Sequence, residues 1–176
     1  ACNDQVAGTT GFGLRLEAYQ VVLVEKGSPA PGDTSQPSIQ KTFSIKAHVS
    51  NLGWQEPVYE GMTAGTTGRN LAVEALAISK PELGYSGNIE YRAHVQNIGW
   101  QEWVKNGKAA GTTGKSLSIE AVEVKLTGDL AKHYDVVYRA HVQGKGWLDW
   151  VKSGECAGTT GEALHMEAIE VKLVDK

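Results

Sequence analysis

The 176-residue chain has a formal charge of −3, with 41% hydrophobic and 21% charged residues, an ordinary balance for a globular protein able to bury a core. No stretch is strongly basic, and no apolar run nears the roughly 18 residues a membrane span needs, so neither nucleic-acid binding nor membrane insertion is expected. The chain opens at Ala1 without methionine or an apolar leader, as a trimmed fragment or a mature secreted chain would.

The 21 glycines are periodic. Ala-Gly-Thr-Thr-Gly begins at Ala7, Ala64, Ala110 and Ala157; Ala-His-Val begins at Ala47, Ala93 and Ala140; Gly-Trp begins at Gly53, Gly99 and Gly146. Self-similarity at a fixed spacing marks a repeat architecture. Residues 1–27 form an N-terminal half-repeat, because 7–23 match only the second half of the unit. Residues 28–38 hold three of the five prolines, and their solvated composition reads as an extended linker. Residues 39–176 form a three-repeat β domain, with repeats at 45–80, 91–126 and 138–173. The last two agree at 24 of 36 ungapped positions.

Each repeat reads as β-structure. In Tyr91–Gln96, the residues Tyr91, Ala93 and Val95 share one face while Arg92, His94 and Gln96 share the other. A second short strand over 99–104 ends at the turn signal Asn106-Gly107. Thr112-Thr-Gly114 is a further turn. Along 117–126 the apolar parity switches between Ile119 and Val122, which requires an extra residue, so a bulge is expected near Glu120-Ala121. The Glu-Ala pair recurs at Glu17, Glu74 and Glu167. One such repeat cannot bury a core, whereas three about a pseudo-threefold axis can. The fold class expected is all-β: a pseudo-threefold repeat domain that is β-prism-like, with a β-trefoil-like arrangement as the alternative.

Tyr-Arg-Ala-His-Val-Gln, Gly-Trp-x-x-Trp-Val, Ala-Gly-Thr-Thr-Gly and Glu-Ala-x-Glu-Val-Lys-Leu together resemble the clostridial hydrophobic-tryptophan (ChW) repeat, over about 125 of the 176 residues. The resemblance implies a secreted or surface-displayed protein of a Gram-positive bacterium, serving adhesion or polymer binding and supplying no catalytic residues. The pattern is broken at Pro57, which replaces the second tryptophan, and at Gly144-Lys145.

Odd spacing places Trp100 and Trp103, like Trp147 and Trp150, on opposite faces of an ideal strand. Trp54, Trp100 and Trp147 occur in every copy and are expected in the core. Trp103 and Trp150, absent at Pro57, are expected on the surface. An exposed ring beside Glu102 or Asp149 suits a sugar, the bland alternative being a hairpin tryptophan next to a solubilising acid. His94 and His141, like His48, lie beside Arg92, Arg139 and Lys46; each is a possible ligand donor, with a structural or solvated role favoured. No cofactor and no metal are expected, since ligand spacing is lacking within the strand. Nearly every polar motif residue recurs copy by copy, whereas an active site needs different groups in different roles, so no enzymatic activity is expected. Repeated weak sites suit multivalent binding. The reading is a lectin-like, carbohydrate-binding adhesion module for polysaccharide or glycoprotein glycan. The alternative is a protein–protein scaffolding module that meets other surface proteins or self-associates through the half-repeat. Cys2 and Cys156 each precede an Ala-Gly-Thr-Thr-Gly turn. A disulfide between them would pin the half-repeat to the body, with a chain-entropy stabilisation of about 4–5 kcal/mol; two unpaired thiols are the other possibility.

Overall fold

A computed structural model describes residues 43–176, within a unit that begins at Thr42. The half-repeat, the proline-rich linker and Cys2 lie outside the described residues, and with them the expected tether and the Cys2–Cys156 bridge.

The alternation read in the sequence is present in the burial of each repeat's first strand. Ile45, Ala47 and Val49 are buried in β1 (Ser44–Val49), Ile89, Tyr91, Ala93 and Val95 in β6 (Ile89–Val95), and Val136, Tyr138, Ala140 and Val142 in β11 (Tyr134–Val142). Each first strand pairs antiparallel with the long strand that closes its repeat: β5 (Val73–Ile78), β10 (Ile119–Leu126) or β15 (Met166–Asp175). Short hairpin strands flank it on the other side. These are β2 (Gly53–Trp54) and β3 (Val58–Tyr59), β7 (Gly99–Trp100) and β8 (Val104–Lys105), and β12 (Gly146–Trp147) and β13 (Val151–Lys152). The α-helix among the described residues is a single turn, α1 (Leu130–His133), leading into the third repeat.

The fifth strand of every sheet comes from another repeat. The Ala-Gly pairs that open the Ala-Gly-Thr-Thr-Gly motif are two-residue strands: β4 (Ala64–Gly65), β9 (Ala110–Gly111) and β14 (Ala157–Gly158). Repeat 2 lends β9 to β5 of repeat 1, repeat 3 lends β14 to β10 of repeat 2, and repeat 1 lends β4 to β15 of repeat 3. The cycle therefore closes after three. The result is an all-β repeat domain of three five-stranded sheets, in which no repeat completes its own sheet.

The expected bulge is present in every copy, and the extra residue is the glutamate. His94 opposes Ala121 and Val95 opposes Ile119, which leaves Glu120 without a partner; Glu74 and Glu167 are skipped in the same way. A skipped residue leaves its carbonyl outside the ladder, and buried carbonyls need a donor. The lent strand supplies it. Thr112 N–H donates to Glu74 O at 2.8 Å, Thr159 N–H to Glu120 O at 3.0 Å and Thr66 N–H to Glu167 O at 2.9 Å. The crossing is close enough to demand glycine: a Cβ on Gly111 would stand 2.3 Å from Glu74 O and 2.7 Å from Ala75 Cα. The Glu-Ala and Ala-Gly-Thr-Thr-Gly motifs are thus two halves of one contact between neighbouring repeats.

Two junctions carry a further link. The buried Tyr138 hydroxyl accepts from Val124 N–H at 2.9 Å and donates to Glu155 O, and Tyr91 OH accepts from Ile78 N–H at 3.0 Å and donates to Lys108 O. Burial raises the pKa of Tyr91 and pushes that of Tyr138 up to about 12. Repeat 1 has Ile45 at this position and lacks the link.

Candidate functional site

The outward faces of the first strands gather the polar and aromatic motif residues. Trp54, Trp100 and Trp147 lie there, not in the core as expected: Trp54 is 41% exposed and the other two are half-buried. Ladder register explains the correction. Trp100 is the cross-strand partner of His94, Trp54 of His48 and Trp147 of His141, and cross-strand partners project from the same face of a sheet. Since Ala93 and Val95 point inward, His94 and its partner must point outward.

The opposite-face expectation for the paired tryptophans is also overturned. Residues 101–103 and 148–150 are not in strand, so the period-two rule lapses between the two rings. Both rings meet one cation. The Arg92 guanidinium lies 4.8 Å from the Trp100 ring centre and 4.9 Å from that of Trp103; for Arg139 the distances to Trp147 and Trp150 are 4.6 and 4.8 Å. A second cation follows, with Lys125 Nζ 3.9 Å from the Trp103 ring and Lys172 Nζ 4.3 Å from that of Trp150. Each such contact contributes about 0.5–1 kcal/mol at a partly exposed site. Glu123 fixes Arg92 at 2.7 Å and Glu170 fixes Arg139 at 2.8 Å. The rings and guanidinium are therefore held in place by the fold itself.

Behind each array stands a second group. The imidazole Nδ1 of His48, His94 and His141 lies 3.1, 3.0 and 3.0 Å from the carboxylates of Glu74, Glu120 and Glu167. Each ring meets its tryptophan edge-on at 5.2–5.5 Å. The bulge thus turns a glutamate side chain onto the histidine of its own repeat while its carbonyl serves the neighbour. His94 and His141 face buried carboxylates rather than open solvent. The glutamates were not recognised as partners in the sequence, although the co-recurrence of His and Glu in each copy was the available signal.

Repeat 1 keeps His48, Glu74 and Trp54, with Lys46 Nζ 5.8 Å from the Trp54 ring, but lacks the rest of the outer array. Lys46 stands for the arginine, Pro57 for the second tryptophan, Ala77 for its glutamate and Ser79 for the lysine. The array is dispensable for folding, because this repeat forms the same five-stranded sheet without it.

Glu102 and Asp149 are exposed beside Trp103 and Trp150, and neither makes an ion pair among the described residues. Beside Trp103 a groove of about 300 Å³ is lined by Glu90, Val104, Lys105 and Lys108. Trp150 is 37% exposed. Thr112 and Thr159 hydroxyls reach the carbonyls of Leu117 and Leu164 at 3.5 Å, long contacts that bridge their turns. Among the described residues no group of three metal-ligating side chains is present. Among the described residues no helix is long and apolar enough to cross a membrane. Cys156 is exposed, with partial desolvation and then Glu123 raising its thiol pKa.

No curated protein and no solved structure matches the chain. The family profile described as Clostridial hydrophobic W (ChW) matches residues 1–25, 48–79, 94–128 and 141–175. The last three segments run from the histidine of each first strand to the end of each closing strand or just beyond it, so the profile follows the structural unit. Since the four segments cover well over half of its length, the chain belongs to the Clostridial hydrophobic W (ChW) family.

Proposed function

We propose that this chain is a non-catalytic carbohydrate-binding module of a Gram-positive cell surface or secretome, and that it serves adhesion through repeated sites. The observation that carries the proposal is the pair of tryptophan–arginine–tryptophan arrays in repeats 2 and 3. The fold does not need them, since repeat 1 forms without one, yet both are complete to the second cation and the anchoring glutamate. Aromatic rings pack on the C–H faces of a sugar, while Glu102 and Asp149 offer acceptors for its hydroxyls. Anchoring the rings beforehand lowers the ordering cost of binding. Two weak sites on one body act together by avidity.

A glycan array tests this. Wild-type chain is expected to bind a restricted glycan set; Trp103→Ala or Trp150→Ala should weaken binding and the double variant abolish it, with the fold retained and stability lowered only by the lost cation–ring contacts, about 1–2 kcal/mol per ring. Absence of glycan binding, with self-association that depends on residues 1–27, would establish the scaffolding alternative instead.

A further inference from the structure

One cavity stands apart from the outer arrays. It has a volume of about 330 Å³ and is lined by residues of all three repeats, near the lower end of the range of about 300–1000 Å³ typical of ligand sites. Three of its lining residues, Ala72, Ser118 and His165, occupy the same place in their repeats, each directly before the closing strand. Equivalent positions from three repeats converge only where the repeats share an end, so the cavity lies on the pseudo-threefold axis.

At this end the copies stop being alike. Ala72, Ser118 and His165 differ from one another, whereas the bulge glutamates, the crossing glycines and the strand histidines do not vary among the three. The divergence has a structural result. In repeat 3, His165 Nε2 stands 3.7 Å from Glu167 Oε1 and covers that carboxylate. In repeat 1, Ala72 stands in the place of His165, and Glu74 lines the cavity with its carboxylate 3.1 Å from His48 Nδ1. Glu120 and Glu167 do not line it. Ser50, Asn51 and Gln96 complete the rim with hydroxyl and amide groups.

This lining selects a chemical class. Among the described residues no lysine or arginine lines the cavity to pair with an anion. Glu74, the one carboxylate among the described lining residues, falls short of a divalent-cation site, which takes several oxygen ligands. Among the described lining residues no aromatic carbocycle is present to hold an apolar ligand. What remains is a mixture of donors (Asn and Gln amides, hydroxyls) and acceptors (the Glu74 carboxylate, hydroxyls, amide oxygens). A vicinal polyol, whose every hydroxyl both donates and accepts, matches that mixture. We infer that the axial cavity binds one sugar or polyol unit per chain, as a second site distinct from the outer arrays, with Glu74, Ser118 and His165 setting its orientation.

The test is amide chemical-shift mapping on the full chain during titration with methyl α-glucoside, N-acetylglucosamine and glycerol. A saturable one-site shift is expected for at least one probe, confined to Ser50, Gln96, Ser118, Ala163 and their neighbours. It should persist in Trp103→Ala/Trp150→Ala, which separates this site from the outer arrays. Ala72→Phe places a ring in the cavity and should weaken the same binding at least about tenfold, as should Ser118→Leu if the first variant fails to fold. A matching oligosaccharide that shifts the same amides more tightly than its monosaccharide would identify a chain end as the ligand; equal affinity would identify a free unit. Absence of saturable shifts at these amides with every probe, or binding undiminished in a folded cavity-filling variant, overturns the inference.

Discussion

Gly111→Ala isolates the contact on which the closed cycle depends. The new Cβ would meet Glu74 O at 2.3 Å and Ala75 Cα at 2.7 Å, and φ is +99°. An alanine forced to positive φ costs roughly 1–2 kcal/mol. The overlap is with backbone that cannot swing aside, so β9 must withdraw from β5. Withdrawal loses the Thr112 N–H to Glu74 O bond of 2.8 Å, worth about 1 kcal/mol, and leaves a buried carbonyl unsatisfied at a cost of about 1–3 kcal/mol more. The expected total is on the order of 3–6 kcal/mol. Gly114→Ala is the control: φ is +70° with nothing within 4 Å of the new Cβ, so only the conformational cost of about 1–2 kcal/mol applies. Urea unfolding of the full chain, with matched slopes, reads both values. Gly65→Ala and Gly158→Ala should resemble Gly111→Ala, because their crossings are equally tight. A Gly111→Ala loss no larger than that of Gly114→Ala would refute the close approach and, with it, the strand exchange as the source of cohesion.

Tyr138→Phe removes the hydroxyl that links repeats 2 and 3 and should lower stability by about 1–3 kcal/mol near neutral pH. The same hydroxyl gives an alkaline signature. Its folded pKa of about 12 exceeds the ordinary value of 10, so the unfolded chain releases the proton first; stability is intact below pH 10 and falls by roughly 2–3 kcal/mol as pH rises towards 12. Denaturation as a function of pH should show a shallower fall in Tyr138→Phe than in wild type, and identical slopes would contradict the assignment. Ala163 has φ +54°, where repeat 1 has Asn70 at the same value; Ala163→Asn should raise stability by about 0.5–1 kcal/mol in the same urea assay, since asparagine tolerates this region better. Lys46→Arg/Pro57→Trp/Ala77→Glu supplies the main missing parts of the array in repeat 1 and should increase avidity for any glycan the wild type binds. Unchanged avidity in a folded triple variant would count against the arrays as binding sites.

Much of the fold was legible in the chain. The parity switch between Ile119 and Val122 located the bulge, because a strand cannot change its buried face without an extra residue. Tyr91, Ala93 and Val95 announced the inward face in the same way. Both signals are local: they depend on which way successive side chains project, and the repeat states them three times over. The candidate site was legible only in composition. Trp103, Trp150, Arg92 and Arg139 were visible as motif residues, but their grouping around one guanidinium was not, because the chain leaves strand geometry between the two rings.

The sequence by itself determined the number of repeats, the buried face of each long strand and the position of the bulge. Tertiary structure alone decided that Trp100 points outward, that the bulge glutamate faces His94, and that Ala-Gly pairs with a neighbouring repeat. The physical reason is range. Burial parity is carried by adjacent residues, whereas the side a tryptophan takes follows from the register of its hairpin partner, and a two-residue strand has no periodicity to declare which sheet it will complete.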